Sequence, residues 1–242
     1  MVLNKRIVAA VMTAVMAFGF TSCDKGGSGN GGSSDMLSAK RLAEVCDELE
    51  FDFVSIDEVE SASAVDGYYL TVTGEDEIQE LRDSVLAEGL PLSSYLMSGT
   101  GEYAEDIEAI TYLNVTDMSL GEFGSHLRVI AVDFGEDSSA GKLWSSWTSV
   151  CKTFVKSKSQ DGGEDYLLRY GDDSLAFFGR VSYSGINSYM AEYRIGNSLL
   201  FIEVYGEIAS FEDGCAELCE AIGITSPYEL EKVSWDDWNA ES

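Results

Sequence analysis

Five cysteines, one histidine, one Ser-x-x-Lys pair and several acidic clusters are the features of this chain with chemistry beyond packing. Cys46, Cys151, Cys215 and Cys219 each fall on the apolar side of a helical pattern, where a thiol behaves as a small hydrophobe. Cys215 and Cys219 are i, i+4 neighbours, not the Cys-x-x-Cys of a zinc or redox site. A single histidine also leaves few ligands for a soft-metal cage. These four cysteines are expected to be buried thiols. The alternative is a disulfide, Cys46–Cys151 or Cys151 with one of the later pair, which an oxidising compartment permits. His126 stands between Gly124-Ser125 and a strand start. A general-base role there would need a nucleophile within hydrogen-bond reach, so a solvated or locally bonded ring is expected.

Ser139-Ala-Gly-Lys142 matches the Ser-x-x-Lys of serine acyltransferases that act on cell-wall peptides. The chemistry would be a serine hydroxyl activated by a lysine one helical turn away. Neither the Ser-Asp-Asn nor the Lys-Thr-Gly partner motif is present, since Lys152-Thr153 runs into Phe154. Ser139 is better read as part of a helix cap. Asp133–Asp137, Asp161–Asp165 and Gly171-Asp-Asp173 offer oxygen ligands, but none has the twelve-residue calcium-loop spacing with its terminal Glu. No catalytic residue, metal or cofactor is expected. Tyr68, Tyr69, Tyr166, Tyr170, Tyr183, Tyr189, Tyr193, Trp235 and Trp238 could line a sugar or peptide surface. At strand spacing, aromatics more often pair across strands in a core.

The elements that must position these residues follow from periodicity. Leu42, Val45, Cys46 and Leu49 fall at i, i+3, i+4 and i+7, one face of a first helix. Tyr68–Thr73 is a strand and 75–88 a second helix, stopped by Gly89 and Pro91. Strands are expected over 110–115 and 127–134. A third helix follows Asp137-Ser138-Ser139, with Leu143, Trp144, Trp147, Cys151 and Phe154 on its buried side. Further strands are expected over 166–170, 175–183, 189–195 and 199–205, the last two joined by a Gly196-Asn197 hairpin turn. A final helix over 210–222 ends at Gly223. This mixture predicts an α+β fold: a largely antiparallel sheet with about four helices mainly on one face. A helix followed by strands occurs twice, over 36–73 and 139–205, the pattern a two-lobed pseudo-repeat would leave.

The ends of the chain carry the other signal. Lys5-Arg6 precede an apolar run, Ile7 to Ser22, that is too short for a spanning helix and is ended by Cys23. Phe20-Thr21-Ser22-Cys23 resembles the bacterial lipobox, which implies cleavage before Cys23 and a diacylglyceryl thioether on it. Residues 1–22 are thus expected to be a lipoprotein signal peptide. Cys23 and the Gly/Ser-rich tract 24–35 form a lipidated tether of roughly 20 Å mean reach and about 40 Å when pulled out. The match of Gly27 to Gly32 to the dinucleotide fingerprint lacks the flanking strand and helix, so it is linker. Residues 36–225 form the globular domain, and 226–242 an acidic tail holding Trp235 and Trp238.

The formal charge is −28, and losing Lys5 and Arg6 takes it to −30. Nucleic acid and an anionic membrane surface would both be repelled, while cationic ligands would be drawn in. The chain resembles uncharacterised bacterial cell-surface lipoproteins, Gram-positive ones among them. The likeness lies in Cys23, in the Arg128–Phe134 strand running into Ser138–Trp144, and in the Tyr193–Tyr205 hairpin with its closing Ala221-Ile-Gly-Ile224. That class implies a palmitate-bearing, membrane-anchored extracytoplasmic protein and no activity for any residue. The expected role is a non-enzymatic module binding an envelope protein or small ligand, touching the membrane only through Cys23. The alternative is a Ser139/Lys142 hydrolase or transferase.

Overall fold

The computed structural model describes residues 37–58, 67–83, 105–117, 125–145, 167–169, 176–183, 186–205 and 211–233. Cys23, the tether, Cys151, Tyr166, Tyr170, Trp235, Trp238 and most of 89–108 lie outside them. In chain order the elements are α1 (Ala39–Glu48), β1 (Asp52–Phe53), β2 (Gly67–Thr73), α2 (Glu75–Asp83), β3 (Ile107–Asp117) and β4 (Ser125–Phe134). There follow helix α3, described over 137–145, then β5 (Leu167–Arg169), β6 (Ala176–Tyr183), β7 (Ile186–Ile195), β8 (Ser198–Tyr205), α4 (Glu212–Ile222) and β9 (Glu231–Val233).

Seven strands make one sheet in the order β1-β2-β3-β4-β8-β7-β6, antiparallel throughout except for the parallel pair β1/β2. β5 and β9 form a separate antiparallel ribbon. The fold is α+β, as the mixed periodicities predict, and the helix–strand recurrence meets in one continuous sheet.

Alternation along each strand sends successive residues to opposite faces. On the first face, Tyr69, Leu113, Val129, Ile202 and Ala191 form one cross-strand row. Leu42, Val45 and Cys46 of α1 and Cys215, Leu218, Cys219 and Ile222 of α4 pack on it in a single core. Each such buried aliphatic side chain contributes about 1.5–3 kcal/mol by leaving water.

The start of α1 is tied to the sheet. Ser38 caps it by accepting from the Arg41 amide at 3.0 Å. The Asp133 carboxylate on β4 accepts the Ala39 amide at 3.1 Å and the Ser198 hydroxyl at 2.7 Å. Negative charge there also complements the positive end of the helix. The Arg41 guanidinium crosses to the Ala221 carbonyl at 2.6 Å, joining α1 to the end of α4. Gly223 then stops α4 in the left-handed region at φ 96°, where only glycine sits without strain.

Two expectations are revised. The Asp137-Ser138-Ser139 run does not precede its helix but lies inside it, because α3 starts at 137 and the Glu136 carbonyl accepts its first bonds. Asp106 sets that start: its carbonyl takes the Gly135 amide and its carboxylate the Glu136 amide. The chain beyond 225 is also part of the fold. Ser226, Pro227 and Leu230 are buried, Leu230 in the first core, and β9 pairs with β5 through Leu167↔Val233.

The one-face arrangement holds for α1 and α4. The other face is covered as well: α3 meets Arg194 there, and α2 packs on β2 and β3 with Ile78 and Leu81 buried. β8 explains why. Its sequence, Ser-Leu-Leu-Phe-Ile-Glu-Val-Tyr, is apolar on both sides, as a strand covered on both faces must be.

Candidate functional site

The second face of the sheet differs from the first in its polar residues. At its β2 end, the Tyr68 and Tyr112 rings meet edge to face with centroids 6.2 Å apart. The Tyr112 hydroxyl donates to Asn114 Oδ1 at 3.3 Å, and Asn114 Nδ2 donates to Thr116 Oγ1 at 3.0 Å. Thr116 Oγ1 lies 3.1 Å from His126 Nδ1. The next residues in the Tyr68–Asn114 row are Arg128 and Glu203, an ion pair at 3.4 Å.

Burial pushes the Tyr68 and Tyr112 hydroxyls above the ordinary tyrosine value, with Arg128 opposing it. Burial also raises the Glu203 carboxyl, and the Arg128 charge and hydrogen bond hold it back. The row is a hydrogen-bonded lattice whose described members are placed by strand register.

One row along, the register runs Leu70, Tyr112, Ile130, Phe201, Glu192 and Phe177. Glu192 is 0% exposed, and neither carboxylate oxygen has a hydrogen-bond partner. Burial alone drives its acid well above the ordinary glutamate value. Glu192 was not singled out from sequence. In Tyr189-Met-Ala-Glu-Tyr-Arg the residues between the aromatics look like a solvated face. The signal was on the facing strand: Leu199 and Phe201 share Glu192's face, so that face is not open to water.

The residues singled out from sequence are mostly kept apart. Ser139 is buried in the first turn of α3 and Lys142 is exposed one turn on. Cys46, Cys215 and Cys219 are free, buried thiols on the first face, so Cys46 takes part in no disulfide. Burial raises the Cys46 thiol above its ordinary value, and a hydrogen bond with Cys215 followed by burial does so for Cys219. Both shifts hold Cys46 and Cys219 away from the thiolate form that a nucleophile or metal ligand needs. His126 is hydrogen bonded in the Thr116 network. Tyr68 and Tyr69 point to opposite faces. The hydroxyl of Tyr69 donates to Asp47 of α1, and that of Tyr193 to the Thr225 carbonyl at 2.8 Å.

The acidic run 133–137 is also dispersed, with Asp133 committed to α1, Glu136 taking the Ser138 hydroxyl and Asp137 paired with Arg194. Among the described residues no group of three or more His, Cys, Asp or Glu side chains is arranged to hold a metal ion. No described helix is long and apolar enough to cross a membrane.

No family model matches the chain, and no curated protein does. Among solved structures, the extracellular domain of PknH from Mycobacterium tuberculosis is similar at 12% identity. The likeness spans 77% of this chain and 94% of that one, with a TM-score of 0.35. So loose a likeness carries no functional argument.

Proposed function

We propose that the chain is a lipid-anchored module of the bacterial cell envelope, exposed on the outer face of the cytoplasmic membrane, that binds a ligand or partner instead of catalysing a reaction. The observation that carries the anchor is the order of segments: Lys5-Arg6, a short apolar run, Cys23, a twelve-residue Gly/Ser-rich tract, and then Leu37, which is already buried. A signal peptide, a lipid attachment point and a tether account for that order. With a formal charge of −28, the domain is repelled by anionic lipid, so the thioether lipid is its hold on the membrane.

The polar row on the second face supports the binding role. It presents ordered donors, acceptors and aromatic rings, the Thr116 hydroxyl that meets His126 Nδ1 at 3.1 Å also accepts from Asn114 Nδ2, and Ser139 and Lys142 sit in opposite environments, one buried and one exposed. Two labelling experiments test the reading. Palmitate should label the wild-type chain and not Cys23→Ala; an unlabelled chain secreted free overturns the anchor. Fluorophosphonate and penicillin probes should leave the domain unlabelled. Labelling that disappears in Ser139→Ala would establish the hydrolase or transferase alternative.

A further inference from the structure

We propose that Arg194 is a two-position latch on α3. Its guanidinium holds the first turn of the helix through Asp137, and Glu192, two residues away on the same face of β7, is its second acceptor. The charge on Glu192 then decides whether the turn is held. Three buried atoms without a hydrogen-bond partner carry the inference: both Glu192 oxygens and Arg194 Nε. They belong to side chains of opposite charge. Residues i and i+2 of a strand stand about 7 Å apart and point to one face, a span that two long side chains close. Turning Arg194 onto Glu192 would satisfy all three atoms at once, because Nε and one Nη of a guanidinium match the two oxygens of a carboxylate.

The guanidinium is in its first position here. Nη2 donates to the Asp137 carboxylate at 2.7 Å and to the Asp137 carbonyl at 3.2 Å. A Cβ at Gly141, one turn on, would meet Nη2 at 3.1 Å, so the helix lies directly against the group. The Asp137 side chain is 67% exposed, and a pair so open to water is weak and easily exchanged. The rest of α3 has other attachments: Ala140, Leu143 and Trp144 are buried, and Asp106 holds the Glu136 amide. Release by Arg194 therefore frees the first turn and leaves the helix docked.

Glu192 supplies the trigger. It is 0% exposed, and an acid with neither water nor a partner keeps its proton, in line with its raised value. A neutral acid does not compete for the guanidinium. Once the carboxyl gives its proton to solvent, the buried carboxylate needs a cation, and arginine is charged throughout. Of the other charged groups on that face, Arg128 of β4 is paired with Glu203 of β8 at 3.4 Å. On β6 the residue opposite Glu192 is Phe177, which does not titrate. α3 brings Asp137 and the exposed Lys142. Arg194 is the cation that Glu192's own strand places beside it.

The test is hydrogen exchange of the full-length chain in detergent micelles, read by mass spectrometry over 137–145 and corrected for the intrinsic pH dependence of exchange. Between about pH 5 and about pH 9, protection of the first turn should fall about threefold, the worth of one exposed ion pair. Glu192→Gln should keep the turn protected across the range. Asp137→Ala, at an exposed position, should lower protection at the acid end and remove most of the pH response. A flat wild-type profile, or the wild-type pH response persisting in either variant, overturns the latch. If Glu192→Gln does not fold, the wild-type profile and Asp137→Ala decide.

Discussion

The two faces of the sheet are built from the same strands but solve different problems. On the first, the described core positions under α1 and α4 are apolar, and Asp133 has its polar group matched by Ala39 and Ser198. On the second, Tyr112, Asn114, Arg128 and Glu203 form a bonded lattice and Glu192 is buried without a partner. A fold selected only for stability would not keep that acid, because an unsatisfied buried group costs about 1–3 kcal/mol. The first face holds the domain together, and the second carries a buried acid at a cost to stability. Natural proteins accept such costs at functional sites.

Substitutions on the two faces should therefore act in opposite directions. The largest effect is expected from Phe211→Ala, which empties a buried position at the start of α4 in the first core. Denaturant unfolding should show a loss of about 3–5 kcal/mol. Asp133→Ala comes next, at about 2–3 kcal/mol, because it strips the Ala39 amide and the Ser198 hydroxyl of a charged acceptor. A cost near zero for either would mean that the first face is not the structural one.

Glu192→Leu should go the other way, gaining about 1–3 kcal/mol when the unpaired carboxyl is removed. The gain depends on pH. The folded acid is raised above its ordinary 4.5, so its contribution to wild-type stability is fully present below that value. It is lost as pH rises toward the folded value, with Arg194, Glu203 and Arg128 the charged groups sharing that face. Unfolding at about pH 4 and about pH 8 should show the variant's advantage larger at the higher pH. A shrinking advantage would mean that Glu192 is ionised in the fold. The smallest effect is expected from Arg41→Ala. Its bond to the Ala221 carbonyl and its exposed pairs with Glu44 and Glu48 are worth about 1 kcal/mol together.

The first face was readable from the sequence and the second was not, for a physical reason. The spacing of Leu42, Val45, Cys46 and Leu49 and the alternation of Tyr193 and Ile195 against Leu200 and Ile202 identify residues that turn inward. Periodicity reports a side chain's direction within its own element. It does not report what lies above that side. Met190, Glu192 and Arg194 alternate correctly but look like a wet face until β8 is paired with β7 and Phe201 is found opposite.

The start of α3 was misplaced for a related reason. Asp106, thirty residues upstream, fixes it by binding the Gly135 and Glu136 amides, and no local capping pattern announces that contact. The tail beyond 225 was read from its acidity, whereas Ser226, Pro227 and Leu230 show that packing overrides composition there.

The clamp between Asp133 and α1 has a mechanical consequence. Any tension carried by the chain upstream enters the domain at Leu37–Ala39. Leu37 is fully buried there, and the Ala39 amide is gripped by a carboxylate on β4, the middle strand of seven. The load passes straight to the centre of the sheet and does not fray α1 from its free end. Ser198, which shares that carboxylate, spreads it to β8. A domain wired in this way resists being peeled open by a pull on the chain ahead of Leu37.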